Sequence, residues 1–424
     1  MLTINLIREK KDFVIERLKV KNLDAREIVE KIILLDSSRR ELQTGTDSLQ
    51  SEMNQISRKI GALMKDNQGS GADEARAKTH LLKEEIRSLS EKLAAVEESL
   101  REEIIRLPNL PHESVPAGRG ADDNLIVRDG GVMMEIPSDA LPHWDLIRKY
   151  DIIDFELGIK LTGAGFPVYK GKGAKLERAL ISYFLDQAVK AGYTEILPPV
   201  VVNEASGFGT GQLPDKEGQM YHVGADNLYL IPTAEVPVTN IYRDVILNAD
   251  NLPVKNVAYT PCFRREAGSW GAHVRGLNRL HQFDKVEIVQ ITHPGHSYEA
   301  LEEMVNHVEG LVSSLGLPYR IVRLCGGDMS FTSALTYDFE VWSAAQKKWL
   351  EVSSVSNFES FQANRLKCRF REKGDKHTRL AHTLNGSALA LPRIVAALLE
   401  NYQTGSGIVI PDVLIPYTGF KTIT

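Results

Sequence analysis

Cysteine is scarce: three in 424 residues, Cys262, Cys325 and Cys368, no two of them close in the chain. That excludes a C-x2-C zinc pattern and a disulfide framework, and it suits a reducing cytoplasm. Long apolar runs are missing too. None approaches the roughly 20 residues a membrane helix needs. The N-terminus carries Arg8, Glu9, Lys10 and Lys11 in succession, which leaves no signal-peptide core. Positive charge is not in excess either. With 51 Lys+Arg against 56 Asp+Glu the formal net charge is -5, which argues against a general polyanion binder but leaves room for a local basic face.

Familiar nucleotide signatures are absent. Gly171-Lys172 is followed by Gly173 and lacks the upstream glycine of a P-loop. Gly163-Ala164-Gly165 reads as a turn. His293 and His296 flank Pro294-Gly295, so no HExxH helix exists. No Ser-His-Asp arrangement has local support.

What is present is a soluble composition, 43% hydrophobic and 25% charged, in a chain long enough for two or three domains. Ile28, Leu35, Leu42, Leu49, Ile56 and Leu63 fall seven apart. Ile32, Met53 and Ile60 supply part of the companion position, which Arg39 and Thr46 break. Asn67, Gly69, Ser70 and Gly71 mark a turn over residues 66–73. Leu82, Ile86, Leu89, Leu93, Val96 and Leu100 then carry a second helical stripe. The pattern predicts two helices folded back as an antiparallel coiled coil. A helix of about 40 residues extends about 60 Å, so the hairpin, residues 27–106, should project as an arm. It holds 13 Lys/Arg against 16 Asp/Glu, so any RNA contact must use one selected face. A dimerisation or spacer arm and a lever reaching a large partner both fit.

Pro108, Pro111, Pro116, Gly118 and Gly120 read as a linker, residues 107–121. Beyond it, helices are expected at residues 173–190 and 387–401, and strands at 193–202, 256–265 and 280–291. They do not alternate in a βαβ rhythm. The fold class is therefore α+β: residues 1–106 with the helical arm, then a domain at 122–424 built on a mostly antiparallel sheet flanked by helices.

Candidate chemistry sits on those strands. Arg264 and Glu266 lie two apart, as do Phe283, Lys285 and Glu287, so each set should leave one face. A guanidinium, a ring and carboxylates on one face form a nucleotide site in outline; a salt-bridge lattice would look the same.

In combination these residues resemble known motifs. Residues 260–287 are similar to motif 2 of the class II aminoacyl-tRNA synthetases, in the form of the seryl-tRNA synthetases. Gly192-Tyr193-Thr194-Glu195-Ile196-Leu197-Pro198-Pro199-Val200-Val201 resembles motif 1, the dimer-interface element. Asn385-Gly386-Ser387-Ala388-Leu389-Ala390-Leu391-Pro392-Arg393 resembles motif 3. The resemblance extends over the arm.

It implies a serine–tRNA ligase that activates L-serine with ATP and loads tRNA(Ser), with tRNA(Sec) as a second candidate. It implies Arg264 at the ATP α-phosphate, Phe283 and Arg393 around the adenine, Arg265 and Glu266 nearby, and Glu351, Val352, Ser353 and Ser354 at the nucleotide, with Glu351 and Ser354 holding Mg2+ and no zinc. It implies Thr233, Ala234, Glu235, Glu287, Asn385 and Ser387 around serine. A cytoplasmic homodimer joined through motif 1 is expected, with no membrane partner. The sequence departs from the family at Ala388, Leu391 and Pro392, and at Trp270-Gly271-Ala272-His273, which replaces a more charged motif 2 loop. Two other functions stay open, an activating enzyme that serves a carrier protein and a coiled-coil scaffold with a degenerate catalytic domain.

Overall fold

The computed structural model describes residues 1–65, 69–136, 139–215, 218–266 and 275–424. The chain divides into two compact bodies, one made of Met1–Lys19 and Leu23–Pro108, the other of Val20–Asn22 and Asn109–Thr424.

The first body starts with α1 (Ile4–Glu9), whose first turn is capped where Thr3 Oγ1 accepts from the Leu6 N–H. Helix α2 (Lys11–Lys19) buries Val14, Ile15 and Leu18. Two long helices follow, α3 (Arg26–Lys65) and α4 (Gly69–Ile104). They run antiparallel. Lys31 pairs with Glu103 at 2.6 Å and Lys78 with Glu52 at 2.8 Å, and a Cβ on Gly45 would lie 3.6 Å from Leu89 Cδ1. Leu42, Leu49 and Ile56 are half-buried in the seam, and every apolar residue expected on α4 is buried or half-buried.

Arg39 breaks the stripe for a reason: it binds Asp36 at 2.8 Å, and Arg8 holds the same buried carboxylate at 3.1 Å. The turn is shorter than residues 66–73, because helical backbone resumes at Gly69. Asn67 lies outside the described residues. Among the described residues no helix is long and apolar enough to cross a membrane.

The second body is organised by an eight-stranded sheet: β1 (Leu125–Gly130), β2 (Thr194–Glu195), β3 (Val254–Phe263), β4 (Gln282–Thr292), β5 (Tyr319–Arg323), β6 (Leu335–Ser343), β7 (Lys348–Asn357) and β8 (His382–Ala390). The spatial order is β1-β5-β6-β7-β8-β4-β3-β2. Every pairing is antiparallel except β2 with β3. On β4 the even residues Val286 and Ile288 join the main core, as do Leu176, Leu180 and Phe184 of α5 (Gly171–Lys190). Helices α6 (Ser297–Ser314) and α7 (Leu391–Asn401) add Met304, Val308, Ile394 and Leu398 to the same core. Odd residues of β4 are left for the opposite face.

Three expectations shift. Residues 193–202 give only β2 and a short strand, Val201–Asn203, because Pro198 and Pro199 offer no N–H to a ladder. Residues 387–390 belong to β8, so the last helix starts at Leu391 with Pro392 in its first turn, where a missing N–H is harmless. Of residues 107–121, read as a linker, those from Asn109 on are anchored within the second body: Val115 is buried, and Asn109 donates from its N–H to Phe331 O at 2.9 Å and from Nδ2 to Phe358 O at 2.8 Å.

Candidate active site

The odd face of β4 floors a cavity of about 350 Å³, where Phe283, Lys285 and Glu287 appear in turn. Antiparallel register sets Glu287 directly against Ser387 of β8, and the Ser387 hydroxyl donates to its carboxylate at 3.2 Å. Lys285, two residues away on the same face, reaches that carboxylate at 2.7 Å; both side chains are almost fully buried. The ammonium neutralises a charge that burial alone would make costly.

Arg264 and Glu266 also line the cavity, but not as strand residues. β3 ends at Phe263, and Glu266 adopts a left-handed backbone with φ 48. Arg264 stacks its guanidinium 5.2 Å from the Phe283 ring centroid and donates from Nε to Pro232 O at 3.4 Å. Glu266 pairs with Arg279 at 2.7 Å. Arg265 points elsewhere: it is not part of the cavity lining, its N–H donates to Gln219 O, and its guanidinium would be 4.0 Å from a Cβ on Gly218. The segment Trp270-Gly271-Ala272-His273 lies outside the described residues.

Two β-bulges bring the other wall together. Between β6 and β7, Phe339 faces Ser353 but Glu340 faces Glu351, so Val352 is an extra residue. Glu351 and Ser354 are three apart and would leave opposite faces of a regular strand; the extra residue restores them to one face. Glu351, Val352, Ser353 and Ser354 all line the cavity. A second irregularity between Lys285–Ala390 and Glu287–Ser387 adds a residue to β8, and Asn385, Ser387 and Ala390 all reach the cavity.

Arg393, the third residue of α7, is held over this wall by Asn278 O at 3.0 Å from Nε and by Glu351 O at 2.6 Å from Nη1. Beneath it, on β6, Asp338 faces Ser354 in register. Its Oδ1 is buried and has no hydrogen-bond partner among the described residues. Burial, with the Glu351 charge second, pushes its carboxyl well above the usual range.

Thr233 and Glu235 line the far end. Ala234 between them does not; it packs with Val238, Ala258 and Val289 and so fixes the turn that presents its neighbours. Glu235 is buried, and that burial pushes its pKa up to about 7 against the opposing hydrogen bond from Gln362. Among the lining residues to which the sequence assigned no role are Lys285, Arg279 and Gln212. Alternation already put Lys285 on the right face. No local pattern marks the other two.

Two family models match, "Seryl-tRNA synthetase N-terminal domain" over residues 1–111 and "tRNA synthetase class II core domain (G, H, P, S and T)" over residues 221–402. The serine–tRNA ligase of Salinibacter ruber is 49% identical over 424 residues, covering 100% of this chain and 99% of that one. The serine–tRNA ligase of Prosthecochloris aestuarii is 48% identical over 432 residues, with the same coverage. Among solved structures, seryl-tRNA synthetase from Pyrococcus horikoshii complexed with ATP superimposes with a TM-score of 0.92 at 35% identity, covering 100% of this chain and 99% of that one. The cytoplasmic serine–tRNA ligase of Naegleria fowleri in complex with AMP gives 0.87 at 27%, again with 100% and 99% covered. The chain belongs to the seryl-tRNA synthetases, serine–tRNA ligases with a class II core.

Proposed function

We propose that the cavity joins L-serine and ATP as seryl-adenylate and that the chain then passes the seryl group to the 3' end of tRNA(Ser), with tRNA(Sec) as a second acceptor. The observation that carries the reading is that Arg264, Phe283, Glu287, Glu351 and Arg393 line one cavity. The Pyrococcus horikoshii relative, solved with ATP, supports the nucleotide assignment.

In the first step a serine carboxylate oxygen attacks the α-phosphorus, the bond to the β-phosphate breaks, and pyrophosphate leaves. In the second a terminal ribose hydroxyl attacks the acyl carbon and AMP leaves. Neither step needs a protein nucleophile. Arg264 faces the α-phosphate and stabilises the charge that grows there. Phe283 and Arg393 hold the adenine between ring and guanidinium, while Glu266 and the backbone of Val352 and Ser353 border the nucleotide. Thr233, Glu235, Glu287, Asn385 and Ser387 surround the amino acid. A serine hydroxyl that finds a hydrogen-bond partner on this wall would leave that partner unpaired if alanine replaced it, which sets the discrimination.

The Glu351 carboxylate, the Ser354 hydroxyl and the orphaned Asp338 oxygen are hard donors that fit Mg2+. No three His, Cys, Asp or Glu converge among the described residues, so ATP phosphates would complete such a site. The ion would supply charge neutralisation to those phosphates.

Leu197, 86% exposed in the motif 1 segment, supports a homodimer through that region. Three free, buried cysteines suit the cytoplasm. Charging of purified tRNA with serine and ATP tests the reading. Adenylate passed to a carrier protein in place of tRNA, or no activation at all, would replace it with one of the alternatives.

A further inference from the structure

Glu235 is the buried carboxylate of the cavity that lacks a cation. Glu287 has Lys285 at 2.7 Å, Glu266 has Arg279 at 2.7 Å and Glu351 has Arg393 at 3.7 Å; among the described residues no lysine or arginine lies within ion-pair distance of Glu235. What it has is an amide. Gln362, on the helix Ser360–Leu366, donates from Nε2 to Glu235 Oε1 at 2.6 Å.

The same nitrogen donates to Thr210 O at 3.1 Å, and Oε1 accepts from the Thr383 hydroxyl at 2.7 Å. Both amide hydrogens and the amide oxygen are therefore engaged. Turning the amide over would set its oxygen against a carboxylate and a carbonyl, so the surroundings permit one orientation. Gln362 and Thr383 are each 1% exposed, and neither belongs to the cavity lining. Gln362 ties two walls together, the Glu235 turn and the end of the helix Glu204–Thr210, just before Gln212, which lines the cavity. Arg365, one turn along, fastens that second wall by donating to Phe208 O and Leu213 O, both at 3.2 Å.

We propose that Gln362 is a positioning residue of the amino-acid subsite: locked by Thr383, it holds the Glu235 carboxylate in one orientation at the cavity wall, and serine binding depends on that orientation. This rests on the reading of the cavity as a serine site.

The groups facing Glu235 set the sign of its pH response. Burial, then Glu287, raise its pKa, whereas the Gln362 hydrogen bond, Lys285 and Arg264 lower it. No other ionisable residue lies on its own helix, Glu235–Asn240, and Arg365 is turned to backbone carbonyls. Serine binding should weaken as pH falls through about 7. Removing the Gln362 donor should move that limb to higher pH.

The test is serine-dependent ATP–pyrophosphate exchange between pH 6 and 9 for the full-length wild type, Gln362→Met and Thr383→Val. Expected for Gln362→Met is a serine KM raised about tenfold or more at pH 7, an ATP KM within twofold, and the acid limb displaced upward. Thr383→Val should give a smaller change of the same kind. Unchanged serine KM and pH profile, or a fall in kcat alone, would overturn the proposal. If Gln362→Met does not fold, Thr383→Val decides it, and wild-type behaviour there overturns it. A wild type that exchanges with no serine dependence would instead overturn the serine reading itself.

Discussion

Arg264 and Arg393 enter the same cavity from distant parts of the chain, one just past the end of β3 and the other in the first turn of α7. Arg264 lies against Phe283 and Arg393 against the carbonyls of Asn278 and Glu351. Two guanidinium groups, each a fork of donors suited to phosphate, therefore border one space large enough for a nucleotide.

Arg264→Ala should lower pyrophosphate exchange by about 100-fold or more, the usual cost of removing a preorganised charge donor. The fold should persist, because among the described residues the side chain's polar and ring contacts are one carbonyl and the face of Phe283. Exchange and thermal melting measured together check this. Undiminished exchange in a folded variant would remove Arg264 from the phosphate.

The arm can be shortened without touching the cavity. Gly45 and Leu89 face each other across the hairpin, so residues 43–91 can be replaced by a short Gly-Ser turn. The base, where Val29, Ile32, Leu100 and Ile104 are buried, stays whole. Adenylate formation should stay within about twofold of wild type, while tRNA charging falls by an order of magnitude or more, because an ~60 Å lever has lost its reach. Full charging by the shortened chain would contradict the arm's role.

Much of this was legible in the sequence where a period governs. Heptads gave α3 and α4, and alternation put Phe283, Lys285 and Glu287 on one face. Bulges broke the same reasoning: nothing local marks Val352 as an extra residue, yet it decides that Glu351 and Ser354 share a wall. Residues 387–390 read as helix because an alternating Ser-Ala-Leu-Ala stretch suits a buried strand as well as a helix. Neighbours in a motif also diverge. Arg265 and Ala234 sit beside cavity residues but face away from them, a distinction that needs the fold.

A buried pair behind the site makes a pH prediction. His143 Nε2 accepts from the Leu277 N–H at 2.9 Å, so its Nδ1 carries the proton and donates to Glu400 at 2.8 Å. Burial disfavours the Glu400 charge, but hydrogen bonds from His143 and Ser343 outweigh it and lower its pKa. A carboxylate whose folded pKa is depressed adds stability that is present above its unfolded value and lost as pH falls through the folded one. Glu400→Gln should therefore destabilise by about 1–3 kcal/mol at pH 7, with the gap to wild type closing below about pH 4. Denaturant unfolding across pH checks it; a gap independent of pH would contradict the assignment.

The most direct test of the central claim is ATP–pyrophosphate exchange by the wild-type chain across all twenty amino acids. The account predicts strong exchange with serine, at least about 100-fold less with alanine because a buried partner would be left unpaired, and weaker exchange with threonine. Equal exchange with serine and alanine, or none with serine, would contradict it.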